Sequence, residues 1–218
     1  MRVRGIVSID SRLTVSKKDT QVRRQELLES ISEDLITTAT SKTEELMRDP
    51  LAIQVVLEII LYTRGTVNLH MKLSTGNKSD LVDKVISLAS GDPIEDNHII
   101  KLPFTARVYK TLVQGGHFNA KAGTVEGRTT LSNSIDQIVS DPDLNFASKL
   151  KAVIQPYLVS WATGEGSFVV LGLLEALSGK EKEDVVSHLK KTEKSIRNKG
   201  AGNKGAKLIL EKTLEKIL

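Results

Sequence analysis

The chain has 218 residues, with 31 Lys and Arg against 27 Asp and Glu, and it contains no cysteine. Its 39% hydrophobic residues suffice for the core of one large domain or two small ones, which excludes a disordered regulator. The lack of cysteine excludes disulfides, thiolate metal sites and thiol nucleophiles. No apolar run approaches the roughly 18 residues of a membrane helix, so we expect no membrane partner.

Charge is distributed unevenly along the chain. Residues 1–24 hold seven basic and two acidic residues, and residues 179–218 hold eleven basic and six acidic residues, so each end carries +5. The stretch between them carries −6. Clustered Lys and Arg contact phosphates and release counterions, so the basic ends favour a polyanion such as nucleic acid. A solvated, lysine-rich helical surface is the alternative, and composition alone slightly favours it.

The first predicted helix covers residues 22–35, where leucine and isoleucine recur at helical spacing after a basic approach. Ser41 and Glu44 have the spacing of a capping box, which predicts a short helix from there through Met47. Pro50 suits the first turn of the next helix. In that helix the apolar face (Ile53, Val56, Leu57, Ile60 and Leu61) is widened by Val55 and Ile59, which predicts a largely buried helix.

The middle of the chain continues the helical pattern. Residues 80–89 predict a helix that ends at Gly91-Asp-Pro93, followed by a polar connector over residues 94–102. Pro103 opens a helix that Gly115 and Gly116 stop. Residues 117–128 bear glycine and lack periodicity, which predicts a loop or an inserted segment. Little in the chain alternates with a period of two for long enough to indicate a strand.

The later segments complete a pattern of paired helices. Further helices are predicted over residues 132–139, 146–154, 167–177, 183–197 and 205–218. Four apolar second helices are centred near Gln54, Arg107, Phe168 and Lys207, and each follows small residues. A unit that cannot bury its own apolar face is typical of stacked repeats. We therefore predict an all-α fold, an α-solenoid of degenerate helical repeats, over the alternative of an irregular helical bundle.

A glycine-rich segment could be mistaken for a cofactor site. Gly200, Gly202 and Gly205 repeat the spacing of a dinucleotide-binding turn, but they follow a helix instead of a strand. The spacing therefore predicts a turn between helices, with Lys199 and Lys204 available to touch phosphate.

No constellation of catalytic residues is evident in the sequence. Asp92, Glu95, Asp96 and His98 form an acidic cluster with a single histidine, which predicts an exposed loop over a metal or acid–base site. Since phosphate-loop, zinc and nucleophile-elbow motifs are also missing, we expect no enzyme activity, no cofactor and no metal. Trp161 is predicted to anchor the core, because stacking surfaces usually need several aromatics.

Two basic clusters are candidates for phosphate contact. The first is Lys17, Lys18, Arg23 and Arg24. The second is Lys190, Lys191, Lys194, Arg197, Lys199, Lys204 and Lys207. For each cluster a solvated face and a phosphate-binding surface are equally open interpretations.

Three segments resemble a known family. Residues 17–32 (KKDTQVRRQELLESIS), 48–61 (RDPLAIQVVLEIIL) and 158–162 (LVSWA) resemble the carboxy-terminal half of the nucleolar Pumilio-like (Puf-A) family. The resemblance covers about residue 16 to the end, the region known in that family as the CPL domain. It divides the chain into a non-matching segment, residues 1–15, and a Pumilio-like region, residues 16–218.

The resemblance implies an array of Pumilio-type helical repeats that binds RNA, and also DNA, with little sequence preference. It further implies residence in the nucleus and nucleolus, a part in ribosomal RNA processing, and translational control of mRNA. Pre-ribosomal proteins are further expected partners. The alternative is a helical-repeat scaffold whose main partners are ribosome assembly factors.

A Pumilio repeat reads one base with two or three side chains of a helix. The aligned positions here are Ile53, Gln54 and Leu57; Ala106, Arg107 and Lys110; Ser167, Phe168 and Leu171; and Ala206, Lys207 and Leu210. The leucines have no hydrogen-bonding group, and the basic side chains suit phosphate better than bases. We therefore expect backbone contacts without a base code. The predicted RNA-binding residues are Lys17, Lys18, Arg23, Arg24, Arg107, Lys110, Lys190, Lys191, Lys204 and Lys207.

Overall fold

The computed structural model describes residues 19–61, 75–119, 124–126 and 145–214. The helices in these ranges are α1 (Thr20–Ser41), α2 (Thr43–Arg48), α3 (Ala52–Leu61), α4 (Thr75–Ser87), α5 (Thr105–Gln114), α6 (Phe146–Ile154), α7 (Leu158–Thr163), α8 (Ser167–Ala176), α9 (Gly179–Lys191), α10 (Glu193–Lys199) and α11 (Lys204–Leu214). Two short strands, β1 (His117–Asn119) and β2 (Thr124–Glu126), pair antiparallel. No helix in the described ranges has the length and apolarity needed to cross a membrane.

The helices form two layers. Helices α3, α5, α8 and α11 pack side by side in chain order, and we call them the second-helix layer. Side-chain hydrogen bonds connect α1, α4, α6 and α9 in the other layer: Lys84 to the carbonyl of Thr40 (2.9 Å), Lys149 to Asp83 (2.7 Å) and Ser148 to Glu181 (2.6 Å). Each second helix thus completes a unit that stacks on the next, which is the α-solenoid that the repeats predicted.

The core is continuous between the two layers. Helix α8 lies between α5 and α11, and Val169, Val170 and Leu173 on it are fully buried. Complete burial of such a side chain stabilises the fold by about 1.5–3 kcal/mol. Trp161 is fully buried too, in edge-to-face contact with Tyr109 at 6.3 Å between ring centroids. The core role predicted for Trp161 is therefore confirmed.

Local chemistry sets the ends of two second helices. Asp49 Oδ1 accepts hydrogen bonds from the backbone N–H groups of Leu51 (2.8 Å) and Ala52 (2.7 Å), which caps α3. These two bonds hold the pKa of the Asp49 carboxyl below its ordinary value. Pro50 lies two residues before the first residue of α3, in the turn that the hydrogen bond from Ile53 N–H to the Asp49 carbonyl closes (3.0 Å), so it leads into the helix instead of lying within its bounds. Helix α5 ends at Gly115, whose φ of 69° is the left-handed conformation that glycine adopts without strain.

The capping box predicted at Ser41 is wrong. Helix α1 continues to Ser41, whose hydroxyl donates to the carbonyl of Thr38 (3.0 Å), and Lys42 precedes α2 without a side-chain cap. Helix α1 runs on because Ile36 and Ala39 extend its buried face beyond residue 35. The burial of this face of α1 therefore outweighed the capping-box spacing of Ser41 and Glu44.

The single helix predicted over residues 183–197 is broken in two at Thr192. The Thr192 hydroxyl donates to the carbonyl of His188 (2.8 Å), and this back-bonding accompanies the end of α9 at Lys191. Helix α3 also differs from prediction, because Val55 is exposed and the helix is not buried all round.

The loop predicted over residues 117–128 contains the β1–β2 hairpin instead. Phe118 pairs with Val125 in its register. Strands of three residues are too short for a period of two to be recognised in the sequence. The helix predicted over residues 132–139 lies outside the described residues.

Candidate nucleic-acid interface

The side chains that connect the second helices show how these helices are aligned. Ser167 at the start of α8 hydrogen-bonds Asn203, just before α11 (3.0 Å). At the other end, Glu175 of α8 pairs with Lys212 of α11 and accepts from Gln114 of α5 (2.9 Å). Helices α5, α8 and α11 therefore run in the same direction, and their amino-terminal ends lie along one edge of the layer.

Asn203 holds the start of α11 in place. Its Oδ1 accepts from the backbone N–H groups of Gly205 (2.8 Å) and Ala206 (3.2 Å), and its Nδ2 donates to the carbonyls of Gly164 (2.8 Å) and Thr163 (3.2 Å). A Cβ at Gly205 would overlap the Ser167 side chain, so glycine is required for this close approach. The glycine-rich segment is thus the predicted turn between helices.

Positive charge gathers in the amino-terminal and middle turns of these three helices. The solvent-facing residues there are Arg107, Lys110, Phe168, Lys204 and Lys207, which we call the second-helix face. Among the described residues, no acidic side chain forms an ion pair with any of its four cations. The amino-terminal ends of the helices add partial positive charge at the same edge.

The carboxy-terminal halves have a different character. Glu175 accepts a hydrogen bond from Gln114 of α5 and pairs with Lys212 of α11, so the charges of Glu175 and Lys212 compensate each other within the layer. Glu211 is exposed nearby on α11. Among the described residues of α5, α8 and α11, the cations without an acidic partner therefore lie on one side of the layer, which is where an anionic strand would be attracted.

Half of the aligned base-reading positions are buried in the core. Leu57, Leu171 and Leu210 are buried, as are Ile53, Ser167 and Ala206. The exposed members are Gln54, Arg107, Phe168 and Lys207, one on each second helix. Among these four, the Gln54 amide can pair with a base edge, and the Arg107 guanidinium can pair with guanine as well as with phosphate. The layer thus offers cations and one ring, but few groups that distinguish bases.

The second basic cluster of the sequence is split between the two layers. Lys204 and Lys207 belong to the second-helix face, whereas Lys190 and Lys191 lie in the last turn of α9 in the other layer. Lys191 is exposed and Lys190 is half-buried. Arg197 is already engaged, since its Nε donates to Glu193 at 2.7 Å. The residues of this cluster are close in the sequence, but they do not form a single surface.

The first basic cluster is only partly described. Arg23 lies on α1, where its backbone N–H donates to the carbonyl of Asp19 (3.0 Å) and its side chain is half-buried. Arg24 also lies on α1, but its side chain is outside the described part of the chain, as are Lys17 and Lys18. Phosphate contact by these four residues stays a prediction.

The acidic cluster before α5 is not simply an exposed loop. Glu95 and Asp96 are exposed as predicted, but His98 is buried and its Nδ1 accepts from the backbone N–H of Ile100 (3.2 Å). Its ring meets Trp161 edge to face at 5.7 Å. Burial lowers the pKa of His98 below its ordinary value. The Ile99–Ile100 pair that follows was the sequence signal for this burial.

Sequence reasoning missed two residues of the interface region. Asn203 received no role, although an Asn before a helix is a recognised capping signal. Phe168 was considered only as a base-reading position, and nothing in the pattern of α8 distinguished its exposed ring from the buried residues around it.

Comparison with known proteins places the chain in a family. The family model described as the CPL (NUC119) domain matches residues 6–123. Pumilio homology domain family member 6 of Schizosaccharomyces pombe is 35% identical over 94% of this chain. The Saccharomyces cerevisiae protein of the same name is 26% identical over 89% of this chain. This chain spans 28% and 29% of the length of these two relatives.

A solved structure gives the same result at the level of the fold. The crystal structure of human Puf-A matches with a TM-score of 0.63 and 26% identity, over 90% of this chain and 33% of that chain. The chain therefore belongs to the Puf-A-like family that is marked by the CPL (NUC119) domain.

Proposed function

We propose that this chain binds RNA through the phosphate backbone, with little choice among bases, and that it acts as a binding protein and not as an enzyme. The observation that carries this proposal is the second-helix face, where four cations without a described acidic partner share one side of three aligned helices. Such cations neutralise phosphates and release counterions without regard to sequence. Single-stranded DNA would meet the same cations.

Membership of a Pumilio-like family supports nucleic acid as the class of partner. On that basis we also propose structured ribosomal RNA or mRNA as ligands, work in ribosome biogenesis and translational control, and residence in the nucleus and nucleolus. These roles are those of whole proteins. The chain spans about a third or less of the length of the relatives that it matches.

A protein-interaction scaffold is the second candidate function. Leu27, Ile31 and Leu35 are all exposed along one side of α1, at successive intervals of four residues. An apolar stripe of this kind suits the surface of a protein partner such as a pre-ribosomal factor. Binding through this stripe would persist at high salt, whereas phosphate contacts would weaken.

The test is a charge reversal on the second-helix face. The variant Arg107→Glu/Lys207→Glu is compared with Lys42→Glu/Lys180→Glu, which has the same net charge but alters exposed lysines of α9 and the α1–α2 junction. Affinity for an RNA hairpin and for a single strand is measured by fluorescence anisotropy. We expect the first variant to lose at least tenfold in affinity and the second to change about threefold or less. Equal losses in both variants would contradict a local interface.

A further inference from the structure

We propose that the two segments that lead into α3 and α5 form a docking surface for a protein partner. The surface, which we call the connector patch, consists of residues 42–51 and 92–98. Its occupant is a segment of the partner that is rich in Lys and Arg and carries apolar side chains. The connector patch shares no residue with the second-helix face, and the proposal does not depend on RNA binding.

Two apolar side chains of the connector patch are exposed to an unusual degree. Leu51 is 81% exposed and Ile94 is 65% exposed, the two highest values among the large hydrophobic residues that the structure describes. A single exposed hydrophobic residue is ordinary on a protein surface. Two of them on adjoining segments form a patch that a partner can cover.

Hydrogen bonds hold both side chains on ordered backbone. The backbone N–H of Leu51 donates to Asp49 Oδ1 (2.8 Å). In the other segment the N–H of Ile94 donates to Asp92 Oδ1 (3.1 Å), and the intervening Pro93 is buried. Because the backbone is already fixed, little conformational entropy is lost when a partner binds.

One side chain joins the two segments of the connector patch. The Arg48 guanidinium donates to the backbone carbonyl of Asn97 from Nη1 (3.3 Å) and from Nη2 (3.4 Å). Leu51 follows Arg48 by three residues, and Ile94 precedes Asn97 by three residues. Since three residues span at most about 10 Å and twelve extended residues reach about 40 Å, a short peptide can contact both apolar side chains.

Negative charge surrounds the exposed pair. The connector patch holds six carboxylates and two cations, Lys42 and Arg48, which gives a net charge of −4. Arg48 already pairs with Glu44 at 3.1 Å, whereas Glu45 and Glu95 are exposed. Such a surface repels phosphate and attracts Lys and Arg. Charge complementarity therefore favours a basic protein segment over nucleic acid as the occupant.

The probe is a set of three fluorescein-labelled peptides of twelve residues. Each carries six arginines and two leucines on a serine background, and the leucines are three, four or seven residues apart. A control peptide has serine in place of both leucines. Binding to the full chain is measured by fluorescence anisotropy at about 150 mM salt, where distant surface charges are screened.

The first variant tests the apolar contacts. Leu51→Ser/Ile94→Ser removes both exposed apolar groups at constant charge. Its matched control is Leu27→Ser/Ile31→Ser on α1, where the side chains are 60% and 51% exposed. We expect the first variant to weaken binding of the tightest peptide about tenfold, and the control about twofold or less. Unchanged affinity in the first variant would overturn the proposal, as would equal binding of the control peptide by wild type.

The second variant tests the charge. Glu45→Lys/Glu95→Lys reverses two exposed carboxylates of the connector patch. Its control, Glu183→Lys/Glu211→Lys, makes the same change in net charge at exposed positions of α9 and α11. We expect the first to lose at least about tenfold in peptide affinity and the control about threefold or less. Equal losses would show that the attraction is not local to the connector patch and would overturn the proposal.

Further measurements distinguish the other occupants, and thermal melting verifies that each variant is folded. Loss of affinity for an RNA hairpin in Leu51→Ser/Ile94→Ser would assign the connector patch to nucleic acid and overturn the proposal. Sedimentation velocity tests for a second copy, since a dimer of wild type that this variant abolishes would also overturn it. Failure of wild type to bind any of the leucine peptides would overturn the proposal and leave RNA binding by the second-helix face standing.

Discussion

At the scale of the residue, Tyr109 shows how one polar atom is accommodated in an apolar core. Its hydroxyl donates to the backbone carbonyl of Val85 at 2.6 Å, and complete burial raises the pKa of the phenol well above its ordinary value. We expect Tyr109→Phe to lower the free energy of unfolding by about 1 kcal/mol, because the carbonyl loses its partner. Urea denaturation measures this, with the exposed Tyr157→Phe as a control that should change by less than about 0.5 kcal/mol. Equal effects in the two variants would contradict this role for the hydroxyl.

The buried imidazole of His98 makes stability depend on pH. Its Nδ1 accepts a hydrogen bond from Ile100, which the protonated ring cannot do, and burial lowers its pKa. Below about pH 6.5 the unfolded chain therefore binds a proton more readily than the folded chain does. Stability contributed by the neutral ring is complete above that pH and is lost as the pH falls toward the lowered folded value.

We expect the variant His98→Asn to remove this pH dependence, because asparagine keeps an acceptor for the Ile100 N–H group but does not titrate. Urea denaturation of both proteins at intervals between pH 7.5 and pH 5 gives the difference in unfolding free energy. The stability of wild type should fall relative to that of the variant as the medium becomes more acidic. A constant difference across this range would show that His98 does not titrate in this window.

At the scale of the element, the start of α11 depends on Asn203. One side chain satisfies two backbone N–H groups of α11 and two carbonyls at the α7–α8 turn. We expect Asn203→Ala to lower the free energy of unfolding by about 2 kcal/mol, because it removes a helix cap and leaves backbone polar groups without partners. Asn198→Ala, in the exposed last turn of α10, is the matched control and should cost little. Thermal unfolding by circular dichroism compares them, and equal melting temperatures would refute the role of Asn203.

The sequence was a good guide where burial and local chemistry agree. Helix α6 has the predicted bounds, and α5 stops at Gly115 because a left-handed turn needs glycine there. It was a poor guide where packing overrides a local signal, as at Ser41, or where one hydroxyl breaks a helix, as at Thr192. The exposed Phe168 could not be foreseen, because periodicity does not reveal which side of an apolar helix lacks a neighbour.

At the scale of the whole molecule, the two layers separate basic residues that are close in the sequence and bring together basic residues that are distant in it. Lys191 and Lys204 are close in the chain, but α9 and α11 belong to different layers. Arg107 and Lys207 are a hundred residues apart and lie on the same side of one layer. Stacking of the repeats thus brings together cations that are distant in the chain, and this surface is the one that we propose for phosphate binding.

The central claim is that the chain binds RNA backbone without a base code. Its most direct test is the affinity of wild type for two single strands of equal length and different sequence, measured by fluorescence anisotropy between about 50 and 200 mM salt. We expect a slope of about −3 for the logarithm of affinity against that of salt, since four cations contribute roughly 0.7 each, and nearly equal affinities for the two sequences. A flat salt dependence, or a large preference for one sequence, would contradict it.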